Sequence, residues 1–564
     1  MWGVCLAGAM TAWSAMAQGP AQPAVRISAD LSTSTGAYRP VYAWFGYDEA
    51  NYTTMAHGRQ LLRELHDLSP VPVQIRAHHL LTSGDGTAEL KFSSTNVYHE
   101  DASGRPVYDF TLLDGIFDAY RDAGVRPMVE LGFMPKDLAA TLPGRDTYQV
   151  HYPQSTVSGA SNNPPKDYAK WQELVRVVTH HLVERYGRET VRQWYFEVWN
   201  EPDIDYWHAT PQEYWKLYDY AVAGVRAALP EAKVGGPAST SPSGQRANAF
   251  LRGFLDHVKS DKSMATGGKI PLDFISFHAK GQPKIVDGHV TMGIAHELAD
   301  ADSGFAVVAS YAEFKRLPII LSEADPEGCA ACSSRVNPAN NYRNGTLYPA
   351  YTAAAYKALL ELGDRHGVDL ISMLSWSFEF EGKDYFEGFR SLASNGIDKP
   401  VLNLFRMLGM MGGERVATTS TAGVPLDTLV HQGVRSAADV DALATYGDRR
   451  AAVLVWNYHD SAEPAAPSEV HLQLRGLPTG VRRVLVQQYR IDETHSNAYT
   501  LWKQMGGPQQ PSPQQPSPQQ LDALHAAQGL QLLQAPEWAE VANGAVVLTT
   551  SMPRQSVSLF AVSW

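Results

Sequence analysis

Between residues 41 and 413, short apolar runs alternate with segments in which apolar residues recur every three or four positions. The runs are VYAWFGY (41–47), VPVQIRAH (71–78), RPMVELGF (126–133), QWYFEVWN (193–200), AKVGGPA (232–238), LDFISFHA (272–279), LPIILSEA (317–324) and DLISMLSWSF (369–378). Among the stretches between them, YDFTLLDGIFDAYRDAG, DYAKWQELVRVVTHHLVERYG and YPAYTAAAYKALLELGDRHG carry the helical period. Strands that are apolar throughout need cover on both faces, so this alternation predicts a parallel sheet with helices outside it. Eight such units over roughly 370 residues predict a (β/α)8 barrel with enlarged loops, spanning 36–413. An open doubly wound sheet is the alternative, but the chain reads GYDEANY after its first strand, where a glycine-rich dinucleotide turn would stand.

After residue 413 the period changes. AAVLVWNYHD, EVHLQLRGL, RRVLVQQYRID, GAVVLTTSM and SVSLFAVSW alternate in the manner of half-buried strands, and one helical stretch lies near 521–533. The pattern predicts an antiparallel β-sandwich over 414–564, joined by an extra strand at 24–32. Within it, PQQPSPQQPSPQQ (508–520) is a low-complexity stretch too polar and proline-rich to pack, and is expected to be a solvated loop.

Composition narrows the function classes. The chain has 564 residues, 44% of them hydrophobic and 19% charged, as soluble globular proteins do. A net charge of −12, with no basic run, excludes a nucleic-acid backbone as partner. No segment has the roughly 18 uninterrupted apolar residues of a membrane span. The first residues, MWGVCLAGAMTAWSAMAQGP, are apolar and end in the small-x-small pattern Ala15-Met16-Ala17, so 1–17 reads as a signal peptide and the protein as exported, periplasmic or secreted. Cys329 and Cys332 then remain, and with no second ligand pair for zinc they read as a local disulfide bracing a loop.

In a (β/α)8 barrel, catalytic side chains come from the C-terminal ends of the strands. Two glutamates stand there: Glu201 after the fourth strand, in VWNEPD, and Glu323 after the seventh, in IILSEADP. Two carboxylates delivered to one rim are what glycosidic cleavage needs, one to protonate the leaving oxygen and one to attack or stabilise the anomeric carbon. Pro202 disfavours helical geometry at Glu201, which suits a strand that must stop and present its last side chains. Glu197, inside its strand, and Glu327, beyond Pro326, are the nearby carboxylates that fit less well.

These residues resemble clan A of the glycoside hydrolases, and the wider text WYFEVWNEPD, VELGFMP, ISFHAKG and DETHSNAYTLW is similar to glycoside hydrolase family 39, home of β-xylosidases and α-L-iduronidases. The resemblance implies a retaining double displacement without metal or organic cofactor, with Glu201 as general acid/base, Glu323 as nucleophile and Asn200 bonded to the sugar 2-hydroxyl. It further implies substrate contacts from His78, whose neighbour His79 leaves the register open, and from His278, Lys280, Trp376 as a platform under the sugar, and Glu381. The expected activity is that of an exo-acting β-xylosidase releasing xylose from xylo-oligosaccharides. An α-L-arabinosidase or exopolysaccharide glycosidase of the same family, or a non-catalytic carbohydrate-binding protein, is the alternative. An α-L-iduronidase would need a cationic clamp, for which Lys280 alone presents itself. The partner is an oligosaccharide; the sequence carries no reading of oligomeric state.

Overall fold

The computed structural model describes residues 23–144, 159–329 and 331–564, so the signal-peptide expectation at 1–17 lies outside the described residues. Eight parallel strands follow the predicted runs: β1 (Trp44–Tyr47), β2 (Gln74–Ala77), β3 (Arg126–Leu131), β4 (Tyr195–Val198), β5 (Lys233–Ser239), β6 (Phe274–Lys280), β7 (Pro318–Asp325) and β8 (Asp369–Met373, resuming as Ser375–Trp376). The two parts of β8 close the ring, since Asp369–Met373 pairs with β7 while Ser375 and Trp376 pair with Phe45 and Gly46 of β1. Gly235 lets β5 and β6 come together, because a Cβ there would lie 2.3 Å from the Phe274 carbonyl oxygen. Trp44, Met128, Phe274 and Ile320, from four barrel strands, and Leu374 at the break in β8 form a cluster separate from the outer core and plug the barrel interior. The larger core lies between strands and helices, where Leu61, Phe117, Trp171, Tyr214, Phe254 and Leu359 are all buried.

The helices that cover the strands begin and end where the sequence supplies caps. Asp167 accepts from the amides of Ala169 and Lys170 at the start of Tyr168–Tyr186, and Gly367, at φ 61°, ends Leu347–His366 in the left-handed region that glycine favours. Among the described residues, no helix is long and apolar enough to cross a membrane.

The second unit is one hydrogen-bonded sheet of ten strands, rolled so that its inner face encloses a core of Ile27, Val453, Val455, Leu472, Val484, Leu548 and Phe560. The N-terminal strand Val25–Ala37 is an interior strand of it, antiparallel to Glu414–Ser420 and parallel to Ser468–Arg475. That parallel pair departs from the all-antiparallel expectation, and it exists because the strand comes from the far end of the chain and no hairpin dictates its direction. Leu454 and Trp456, with Val557 and Leu559, belong to the same buried cluster as the barrel helices and fasten the two units together. Lys357 of the barrel pairs with Asp441 at this junction.

The segment 508–520 is mostly exposed but is not simply solvated. Gln514 donates its backbone N–H to Asp384 Oδ1 at 2.8 Å, and its Oε1 accepts the Tyr385 N–H at 2.9 Å. The segment is therefore a strap tied to the loop that follows β8. A polar, proline-rich stretch need not bury apolar surface to be held, because hydrogen bonds to a neighbouring loop suffice.

Candidate active site

Below the rim, three neighbouring strands each place a charged residue inside the barrel. Arg76 of β2 lies 2.5 Å from Glu197 of β4 and 3.0 Å from Glu130 of β3, with all three side chains fully buried. One guanidinium facing two carboxyls leaves an excess of negative charge, and burial pushes Glu130 well above the ordinary carboxylate range against the pull of Arg76. Arg76 also reaches upward, to Asn200 Oδ1 at 2.9 Å, His78 Nε2 at 2.6 Å and Glu323 Oε1 at 3.4 Å. A guanidinium can only donate, so His78 Nε2 accepts, and the ring proton sits on Nδ1, 2.5 Å from Asp48 Oδ1. Burial lowers the His78 imidazole, against Asp48 and with the help of Arg76. Asp48 is itself bonded to Lys91 Nζ at 2.8 Å.

The chain leaves β4 in a strained turn. Trp199 (φ 72°) and Glu201 (φ 46°) occupy the left-handed region, at about 1–3 kcal/mol each. Hydrogen bonds hold the turn from both sides: Trp199 N–H to Leu131 O of β3 at 3.2 Å, and Glu201 N–H to Ala238 O of β5 at 2.9 Å. The turn presents Glu201, half-buried, to His278 of β6, whose Nδ1 lies 2.8 Å from Glu201 Oε1 and 3.8 Å from Glu323 Oε1. Asn200, with Oδ1 occupied by Arg76, has its Nδ2 as the remaining donor in the pocket wall.

Glu323, on β7 beside His278, is 5% exposed and ringed by positive charge. Lys280 Nζ bonds to Oε2, and both Arg390 terminal nitrogens lie 3.4 Å from the same oxygen. Burial alone would raise this carboxyl, but Lys280, His278 and Arg390 together outweigh it and hold Glu323 well below the ordinary range. Burial and Arg390 pull the Lys280 ammonium down, with Glu323 opposing them.

Above these groups is a cavity of 220 Å³ lined by Asp48, His78, Lys91, Asn200, Glu201, Tyr206, Glu323, Gly328, Cys329, Trp376 and Arg390. Trp376 forms one wall, with the Arg390 guanidinium 4.8 Å from its ring centroid and His78 edge-on at 4.9 Å. The loop after β7 forms another. Cys329 and Cys332 are bonded to each other in this loop, and the buried Arg343 donates to both of their carbonyl oxygens, at 3.0 and 3.2 Å. Glu327, the alternative carboxylate, is taken up by Arg343 in the same loop.

One oxygen of Glu201, one of Glu323 and the His278 nitrogen lie within 4.8 Å of one another, and among the described residues this is the cluster able to hold a metal ion. Lys280, Arg390 and Arg76 already meet Glu323 and compete with any cation for it. Two carboxyls at this spacing on the C-terminal rim of the barrel suit glycoside chemistry.

The model of glycosyl hydrolases family 39 matches residues 74–527. The chain belongs to this family. It is a glycoside hydrolase. The chain is 29% identical over 506 residues to a β-xylosidase of Geobacillus stearothermophilus, covering 86% of both. It is 27% identical to an α-L-iduronidase of Mus musculus, over 72% of this chain and 62% of the relative. A monomeric β-xylosidase of Caulobacter crescentus has the same fold, at a TM-score of 0.72 and 22% identity over 95% of this chain and 99% of the other.

In this family 39 enzyme, the structure brings Glu201, Glu323, Asn200, His78, His278, Lys280 and Trp376 to one pocket or into direct contact with its carboxylates. Glu381 is not among them. Its Oε2 accepts the His57 N–H at 3.1 Å, at the start of the helix Ala56–Asp67, where the helix end attracts a carboxylate. Arg390 is the residue by which the loop after Trp376 returns to the pocket. Sequence reasoning also missed Arg76, Asp48, Lys91 and Tyr206. For Arg76 a signal was present, since Arg76, Glu130 and Glu197 are charges in the middle of runs read as buried strands, and buried charges must find one another. Lys280 is likewise not the one cation near the pocket, as Lys91 and Arg390 line it.

Proposed function

We propose that this glycoside hydrolase is a retaining, exo-acting β-xylosidase. The observation that carries the reading is the approach of Glu201 to Glu323, with carboxylate oxygens within 4.8 Å of each other. Retaining enzymes hold their carboxyl groups about 5 Å apart, whereas inverting ones need about 6.5–9.5 Å to admit a water. Glu323, kept ionised by its cationic ring, attacks the anomeric carbon from one face. Glu201 protonates the departing oxygen, then takes a proton from the water that releases the glycosyl-enzyme. Asn200 Nδ2 donates to the 2-hydroxyl, and Arg76 holds that amide in orientation through Oδ1.

The cavity, at 220 Å³, is below the about 300 Å³ at which sites for drug-sized ligands begin, which suits one terminal sugar ring rather than the middle of a chain. Its cations are committed: Lys280 to Glu323, Arg390 to Asp325 and Lys91 to Asp48. A neutral pentose fits that balance better than a uronic acid. A panel of aryl glycosides, with the first-formed sugar anomer followed by proton NMR, tests the proposal. Fastest turnover of the β-xyloside with β-xylose appearing first is the expected result. A preferred uronide, or α-xylose appearing first, would overturn it.

A further inference from the structure

A second cavity, of 270 Å³, lies in the rolled sheet, remote in sequence from every residue of the catalytic pocket. It opens at the seam where the sheet's two ends face each other: Val486 and Gln488 come from Arg483–Ile491, and Val547, Leu548 and Thr549 from Ala545–Met552. The short strand Glu537–Glu540, paired to Arg483–Val486, adds Trp538 and Glu537. Trp538 is 56% exposed and Val547 59%, while the other tryptophans among the described residues are largely withdrawn from solvent.

Three features give this seam the chemistry of a ligand site. The first is the indole itself, a flat apolar surface left in water, with the Arg483 guanidinium 4.6 Å from its centroid on one side. The second is Gln488, which is only 5% exposed yet lines the cavity. Its Nε2 donates to Thr550 Oγ1 at 3.0 Å and to Ser558 Oγ at 3.2 Å, so both N–H groups are spent inward and Oε1 is left as a fixed acceptor. The third is the rim, where Gln534 and Glu537, 3.3 Å apart, supply adaptable donors and acceptors.

We propose that this seam is a second saccharide-binding site, separate from the catalytic pocket, which takes a neutral sugar unit of a polysaccharide with the ring's C–H face on Trp538. A pyranose ring has one face of C–H groups and an edge of hydroxyls, and the seam offers an indole beside a fixed amide oxygen. An anionic sugar would meet Glu537 at the rim as well as Arg483 beside the indole, while a purely apolar ligand would leave the Gln488 amide oxygen without a donor. The site rests on the saccharide chemistry of the enzyme, not on its preference for xylose, and would keep the catalytic pocket close to chain ends.

The test uses the full chain carrying Glu323→Gly, so that polymers are not consumed, with and without Trp538→Ala. Native gels cast with soluble arabinoxylan, mixed-linkage β-glucan or polygalacturonate report retardation. A neutral polymer should retard the parent, and Trp538→Ala should weaken that binding about tenfold or more. In the otherwise unaltered enzyme, Trp538→Ala should leave aryl-glycoside kcat/KM within about twofold. Equal retardation with and without Trp538, or none by any neutral polymer, would overturn the site. So would retardation by polygalacturonate alone, or a dimer in sedimentation that the substitution dissolves, which would make the occupant a second copy. The aryl-glycoside assay reads the catalytic pocket independently, so failure of the seam leaves that reading intact.

Discussion

Lys280→Met would remove the ammonium that touches Glu323 while keeping most of the side chain's apolar length. Two unit charges about 3.5 Å apart interact by about 5 kcal/mol at an effective dielectric near 20. Breaking a buried pair by deleting one partner costs about 3–5 kcal/mol. At about 1.4 kcal/mol per pKa unit, Glu323 should rise by about two to three and a half units. Arg390 and Arg76, both 3.4 Å from the carboxylate, keep the change toward the lower figure. In the parent, Glu323 is ionised from well below the usual carboxylate range upward, so protonation silences it only at strongly acidic pH. The substitution should therefore move the acid limb of the kcat/KM profile upward by about two units, with activity lost as pH falls. Stability follows the same sign. A depressed carboxyl adds stability above its unfolded value of about 4.3 and loses it as pH falls through the folded value, so the variant should begin to lose it at a higher pH. The assay is initial rate against pH on an aryl xyloside, with circular dichroism at each pH. A uniform fall in rate with an unmoved acid limb would refute the electrostatic argument and leave Lys280 as a substrate contact only.

Three further outcomes are expected. Glu201→Ala should still form a glycosyl-enzyme from a highly activated aryl xyloside and recover turnover with azide as the β-azide, whereas Glu323→Gly with azide should give the α-azide; products of the opposite configuration would exchange or remove these roles. Arg76→Met should destabilise the fold by about 3–5 kcal/mol, read by denaturant unfolding, because Glu197 and Glu130 are left buried together. It should also lower kcat through Asn200, and parental stability would mean that the guanidinium is dispensable. Glu381→Ala should change kcat/KM by less than about twofold, since the side chain caps a helix outside the pocket, and a large loss would restore it to the site.

The barrel was legible because strands covered on both faces are apolar along their length, so all eight runs could be found without knowing what they pack against. The two glutamates on its rim were legible for a related reason, since the fold determines where catalytic side chains must emerge. The sandwich was harder to read. The strand Glu414–Ser420 reads ERVATTS, and Asp439–Gly447 begins with Asp439, whose carboxylate makes sense only beside the Trp456 indole N–H, 2.7 Å away on the next strand. A buried acid with a tertiary partner looks polar in sequence. Arg390 was hidden because the chain after Trp376 folds back to the pocket by a route that no local pattern encodes, and the same irregular stretch carries Glu381 away from it.

The interior position of Val25–Ala37 limits when its sheet can be completed. The Arg26 N–H is bonded to Thr421 Oγ1, 395 residues along the chain, and the strand's other neighbour is later still. At a synthesis rate of about 5–20 residues per second, this strand emerges roughly 20 to 80 s before the first residue it must pair with. Over that interval its edge has no native partner, while the barrel can collapse behind it on contacts already made. The rolled sheet is thus the last part whose strands are all available to pair, and its closure is a long-range step of the kind that slows folding. Anything that shields the early strand while it waits, such as a chaperone, should raise the yield of native enzyme without touching a single catalytic residue.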